Sequence, residues 1–161
     1  MATLNDLTTG IAGRLSNGFG AGNLWTPNQG CLAAITVLVQ DYADITNKID
    51  IAIGRIGMLA LINMPGFTNH DPLSDLVNAK IHLFIEIGEQ PVIWRDNPLT
   101  KPKAVDVAQL VARLVQGFYI AGFEKLRVLK GDFSAGRDKA NRERQVYSVE
   151  VETMQLFDAS P

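Results

Sequence analysis

Apolar residues recur along this chain in two rhythms, one helical and one strand-like. Near the start, Leu4, Leu7, Ile11 and Leu15 stand three and four residues apart, which gives a short helix a single apolar stripe. Gly10 and Gly13 weaken such a helix by up to about 1 kcal/mol each relative to alanine. Behind it comes SNGFGAGN, Ser16 to Asn23, with glycines at alternate positions. Residues 1–25 therefore read as a flexible N-terminal arm, docking either on a neighbouring subunit or on its own domain, and residues 26–161 read as a single domain.

The helical rhythm returns after Thr26-Pro27-Asn28-Gln29, where Thr26 can cap, Pro27 suits the first helical position and Gln29 completes a capping box. Ile35, Leu38, Val39, Tyr42, Ile45, Ile49, Ala52 and Ile56 then keep the helical period. The spacing predicts a long helix over 27–55 with Gly57 as its stop. The alternative ends that helix near Lys48 and makes 49–53 a strand, because alternation is present there too; the helix is favoured. Met58 to Met64 reads as a strand and Phe67 to Asn78 as a loop. From Ala79 to Gly88 the alternation is regular, with Ile81, Leu83, Ile85 and Ile87 on one face and Lys80, His82, Phe84 and Glu86 on the other. Pro91 to Trp94 reads as its extension after a bend. A second helix follows from Pro102, capped near Thr100 or Lys101, and strands are expected at 126–129 and 145–157. Between these last two lies GDFSAGRDKANRER, too long and polar for a tight turn. Runs of neighbouring strands favour antiparallel pairing. The expected fold is α+β: an antiparallel sheet of about four strands with two long helices packed on one face.

Composition narrows the function. A chain of 161 residues can hide roughly 70% of its unfolded surface without staples. With 47% apolar and 20% charged residues it is not a disordered chain. Fifteen basic residues against seventeen acidic ones argue against gripping nucleic acid as the main work. The single Cys31 excludes an internal disulfide framework and a cysteine-rich zinc site. The first residues lack a basic region followed by an apolar core, and the longest apolar stretch, Cys31 to Val39, is too short for a membrane span. No membrane association is expected, and folding in a reducing cytoplasm is.

Candidate chemistry is sparse. His70 lies beside Asp71 and Asp75, yet no second histidine or cysteine is near enough in sequence to suggest a zinc set. His82 sits on the polar side of its strand, where an edge or exposed histidine is the ordinary reading. Cys31 opens a predicted helix, but nothing signals the base a nucleophile needs. The glycines of GFGAG have no strand before them and no helix directly after, so they make no dinucleotide fingerprint. Glu86 and Glu89 face opposite sides of a strand and are not a catalytic pair. No enzyme, cofactor or metal is expected. The 131–145 connection carries Arg137, Lys139, Arg142 and Arg144 against three acidic residues. It can be a solvated loop, a phosphate or nucleic-acid contact, or an arm reaching the next subunit; the last is ranked first.

The order of segments adds a resemblance. ITVLVQDYADITNKIDIAIGRIG, a strand ending in NMPG, then AKIHLFIEIGEQPVIWRDN, the helix KAVDVAQLVARLVQGFY and the strand RQVYSVEVETMQLF follow one another. Together they resemble the small neck and tail-completion proteins of tailed bacteriophages, the tail terminators in particular. The resemblance spans about Pro27 to Phe157 and implies a virion structural protein of tail or neck, assembled in the bacterial cytoplasm. It implies a homo-oligomeric ring, commonly of six, that caps the tail tube and joins it to neck or head-completion proteins, with incidental contact with DNA in the lumen. A head-closure, tube-associated or baseplate component, or a small non-catalytic binding module, is the alternative. On that reading Phe19, Trp25, Trp94, Arg137, Lys139, Arg142 and Arg144 are candidate subunit or partner contacts, and Phe84, Tyr119 and Phe123 are further aromatic candidates, with Phe118 read as core. Deleting 133–143 or the first 22 residues is expected to harm assembly and spare the fold.

Overall fold

The structure, a computed structural model, describes residues 2–20, 29–40, 44–69, 79–95, 102–137 and 141–155. The first element is a helix, α1 (Leu4–Gly20). Thr3 and Asp6 start it with reciprocal bonds: the Thr3 N–H donates to Asp6 Oδ2 (2.7 Å) and the Asp6 N–H donates to Thr3 Oγ1 (3.2 Å). The bonds from Thr3 hold the Asp6 carboxyl below its usual range. The apolar stripe of α1, Leu7, Ile11, Leu15 and Phe19, is at most 2% exposed and belongs to the main core. Over 4–20 the expected flexible arm is thus a helix built into its own domain, and glycine does not prevent this because the stripe gains a core to pack on.

The expected long helix over 27–55 does not form. A short 3₁₀ helix (Gln29–Ala34) leads to a strand, β1 (Thr36–Val39), and helix α2 begins only at Ile45 and ends at Ile56. The capping segment at 26–28 lies outside the described residues. Ile35, Thr36, Val37 and Val39 are β-branched, and the strand they favour is secured by parallel pairing, Thr36–Val39 against Leu59–Ile62. Parallel pairs need a crossover, and α2 supplies it. Gly57 stops α2 in the left-handed conformation (φ 85°), its N–H donating to the Ile53 carbonyl at 2.9 Å.

Strand β2 (Met58–Ile62) is buried at every residue. Met58, Ala60 and Ile62 join the main core with α1 and the later helix, while Leu59 and Leu61 join a second cluster with Ala52 and Ile53 of α2. Helices therefore cover both faces of the sheet at this end, not one. The predicted loop at 67–78 begins instead as a strand, β3 (Gly66–Asn69), and its remaining residues lie outside those described. Strand β4 (Ala79–Glu89) follows the predicted alternation, Ile81, Leu83, Ile85 and Ile87 inward and Lys80, His82, Phe84 and Glu86 outward. Pro91–Trp94 is not an extension of it but a single helical turn, α3. Helix α4 (Ala104–Val115) presents Val107, Leu110, Val111, Leu114 and Val115 to the core.

The last two strands are longer than predicted. β5 (Arg127–Arg137) and β6 (Glu143–Gln155) pair antiparallel from Arg127–Glu152 to Arg137–Glu143, with Leu129 as an extra residue in a bulge. The polar 131–145 stretch is thus mostly the far half of a hairpin. The sheet has six strands in the order β1-β2-β4-β6-β5, with β3 also paired to β4. The architecture is α+β, but the sheet is mixed rather than antiparallel and has six strands rather than four. It is served by α1, α2 and α4 on both faces rather than by two long helices on one.

Candidate interaction surface

Open strand edges and one polar face remain once the core is closed. β1 and β5 end the strand order, each paired on one side only among the described elements. All of β5 apart from Val128 is exposed, including Leu129 (43%) and Phe133 (52%), whose ring lies 4.9 Å from that of Tyr147. An edge strand of 11 residues that exposes apolar side chains is a ready template for another chain.

The outward face over β4, β6 and β5 is a ladder of charges. Register sets Lys80 beside Met154, His82 beside Glu152, Phe84 beside Glu150 and Lys130 beside Glu150. Glu152 Oε2 is 2.7 Å from Lys80 Nζ, and Glu152 Oε1 is 3.6 Å from Arg127 Nη1. The Lys80 bond, helped by the charges of Lys80, Arg127 and His82, holds the Glu152 carboxyl below its usual range against the opposing effect of burial. Lys130 bonds Asp132 at 2.8 Å, which raises the Lys130 ammonium above its ordinary value. His82 stands 3.9 Å from carboxylates of both Glu150 and Glu152. Its neighbours are thus partners in the ladder of charges.

The opposite parity of β4 hides a different carboxylate. Glu89 is fully buried at the end of the strand. Its Oε1 accepts from Arg95 Nε, its Oε2 from Arg95 Nη2 (2.9 Å) and from the Ala104 N–H at the start of α4 (2.9 Å). Arg95 also donates to Gln145 Oε1 at 3.3 Å, and the bond to Glu89 raises the guanidinium above its ordinary value. This knot ties β4, α3, α4 and β6 together. It is absent from the predicted sites, although Glu89 shares the inward parity of Ile85 and Ile87, and a carboxylate there demands a partner.

The predicted contacts are dispersed. Phe19 (2% exposed) and Trp94 (1%) are core residues of the protomer, and Trp94 Nε1 donates to the Pro102 carbonyl at 2.7 Å. Phe123 is also buried, Phe118 is half-buried against the core with the Arg14 guanidinium 5.1 Å from its ring, and Phe84 and Tyr119 are exposed. Trp25, Lys139 and His70 lie outside the described residues. Arg137 and Arg142 are exposed near the hairpin's turn end, and Arg144 is half-buried on β6. Among the described residues no three His, Cys, Asp or Glu side chains cluster to hold a metal, and no helix is long and apolar enough to cross a membrane.

This geometry defines an α+β domain with a mixed, partly solvent-facing sheet and two unlike edges. No family model and no curated protein matches the sequence. A solved chain from the virion of a native gene transfer agent (GTA) particle shares the fold, with a TM-score of 0.50 at 12% identity, over 90% of this chain and 97% of that one.

Proposed function

We propose that this chain is a structural subunit of a phage-type virion, placed in the tail or neck, where a ring of copies caps the tail tube and meets the neck. A ring of six follows from the resemblance alone. The observation that carries this reading is the pair of unlike open edges, β1 and β5, on one sheet. Contact between unlike surfaces of identical subunits is heterologous, and it closes into a ring when the rotation allows. The likeness to a chain of the GTA virion over almost the whole of both chains supports the same reading. A non-catalytic role is part of this reading, supported by the binding surface that the exposed Leu129, Phe133 and the outward ladder offer.

A small binding module is the second reading, favoured by a groove of about 430 Å³ between β1 and α2 that is lined by Leu38, Ile51, Ala52 and Ile56 with Lys48 and Arg55 among them. Light scattering with electron microscopy of the purified protein separates the two. Closed rings at a multiple of 17.6 kDa are expected; a monomer at high concentration, also when tail tubes are added, overturns the ring.

A further inference from the structure

We infer that the pocket near the turn end of the β5–β6 hairpin, walled by Arg144, binds a phosphate-class oxyanion. The register puts Arg144 opposite Gly136, and Val146 opposite both Ser134 and Gly88. A Cβ on Gly88 would stand 3.7 Å from Arg144 Nη2, and one on Gly136 would meet nothing within 4 Å. The space left open is a pocket of about 230 Å³ lined by Ser134, Ala135, Gly136, Arg137, Arg144 and Val146.

Among the described residues the lining supplies donors and no carboxylate. Arg144 Nε is buried without a hydrogen-bond partner among the described residues. A buried N–H left unpaired is costly, and native structures nearly always supply a partner, a water or an ion. The contrast with Arg95 is direct, since that guanidinium is engaged by Glu89 and Gln145. Arg137 pairs with Glu143 and alternates away from Arg144, its Nη1 donating to the Asn141 carbonyl at 2.9 Å, whereas Ser134 shares the face of Arg144 and adds a hydroxyl donor. The adjacent carboxylate along β6, Glu143, alternates away from Arg144 and accepts from Gln145 Nε2 at 2.8 Å. The Arg144 guanidinium and the Ser134 hydroxyl, which share one face of the hairpin through the Gly136–Arg144 and Ser134–Val146 pairs, suit the charge of a phosphate oxygen. The source is either a phosphodiester of nucleic acid or free phosphate; the site itself does not depend on the ring.

The test uses the full chain and two variants: Arg144→Gln, and Gly136→Val, which fills the pocket while keeping the charge of Arg144. Inorganic phosphate is titrated calorimetrically and in thermal unfolding, with chloride at equal ionic strength as the control. Binding by the wild type is expected, weakened at least about tenfold in Arg144→Gln and Gly136→Val, the loss that removing a charge-assisted bond brings. A fluorescent DNA duplex then identifies the source. Binding that shares the variants' loss, with a log–log salt slope of about −1 for one phosphate contact, indicates a phosphodiester; phosphate binding without duplex binding indicates the free ion. A wild type indifferent to phosphate, or variants that bind as it does, overturns the inference. So does an Arg144→Gln variant that changes oligomeric mass but not phosphate binding, since the guanidinium would then serve a carboxylate of a second copy.

Discussion

Gly57 and Trp94 approach so closely that no side chain fits between them: a Cβ on Gly57 would lie 2.8 Å from the Trp94 Cα and closer still to its backbone nitrogen. Gly57 also holds φ at 85°, a conformation that costs other residues roughly 1–2 kcal/mol. Its carbonyl accepts from the Gln90 N–H at 2.7 Å, so the α2 stop and the β4–α3 corner are one joint. Gly57→Ala is expected to destabilise by about 3 kcal/mol or more, summing strain and overpacking. Gly54, inside α2, is the control because a Cβ there would meet nothing within 4 Å. Gly54→Ala should stabilise by about 0.5–1 kcal/mol. Urea unfolding midpoints of the two variants decide both.

Glu89 sets the next expectation. It is a fully buried charge held by Arg95 and the Ala104 N–H, so removing either ionic partner strands the other group. Glu89→Ala should cost about 3–5 kcal/mol. Arg95→Met should cost a similar amount although Arg95 itself is partly exposed, because the charge left unpaired is the buried one. Chemical denaturation of each variant checks this; a loss below about 1 kcal/mol for both would show that the knot is not holding the corner.

Much of this fold is legible because single-faced strands announce themselves. The alternation of β4 places Ile81 to Ile87 inward, and Gly57 reads directly as a helix stop. Two kinds of position mislead. Leu38 and Val39 fit a helical period by coincidence, and only pairing with Leu61 and Ile62 decides for a strand. β5, exposed on both faces, carries no apolar rhythm at all, so its length is invisible in the sequence. β2 holds a signal that the one-faced expectation overlooks: an unbroken MLALI run means burial on both faces, and hence helices on both sides. Of the candidate site, the hairpin arginines are visible as a charged stretch, but aromatic identity is a poor guide to contacts. Phe19 sits four residues beyond Leu15 and simply prolongs the α1 stripe.

That stripe changes what truncation should do. Leu7, Ile11, Leu15 and Phe19 are core, and Gly18 lets α1 approach Leu114 closely. Deleting residues 1–20 is therefore expected to abolish cooperative unfolding rather than to spare the fold. Ile11→Ala alone should cost about 2–5 kcal/mol. Near-UV circular dichroism and urea melts read both effects.

Acid should weaken the outward ladder in a defined direction. Glu152 has its carboxyl held below the ordinary value in the folded chain, so its contribution is present above that ordinary value and is lost as pH falls through the lowered one. Lys80→Met removes the main cause. The stability gap between wild type and Lys80→Met, under about 1 kcal/mol for so exposed a lysine, should be present at neutral pH and close below about pH 4. A gap that persists unchanged at lower pH would assign it to packing by the lysine stem.

The β5 edge carries the last expectation. Leu129 and Phe133 are exposed on a strand paired only to β6 among the described elements, so their side chains contribute little to the protomer and are available to a second copy. Replacing both with lysine places charge along an edge, the device by which natural sheets refuse edge-to-edge pairing. Stability should change by less than about 1 kcal/mol, apart from the loss of the Phe133–Tyr147 contact. Assembly should fall sharply, read as a shift from ring to monomer in light scattering. Rings that persist in the double variant would move the contact away from β5, to the β1 edge and the groove beside α2.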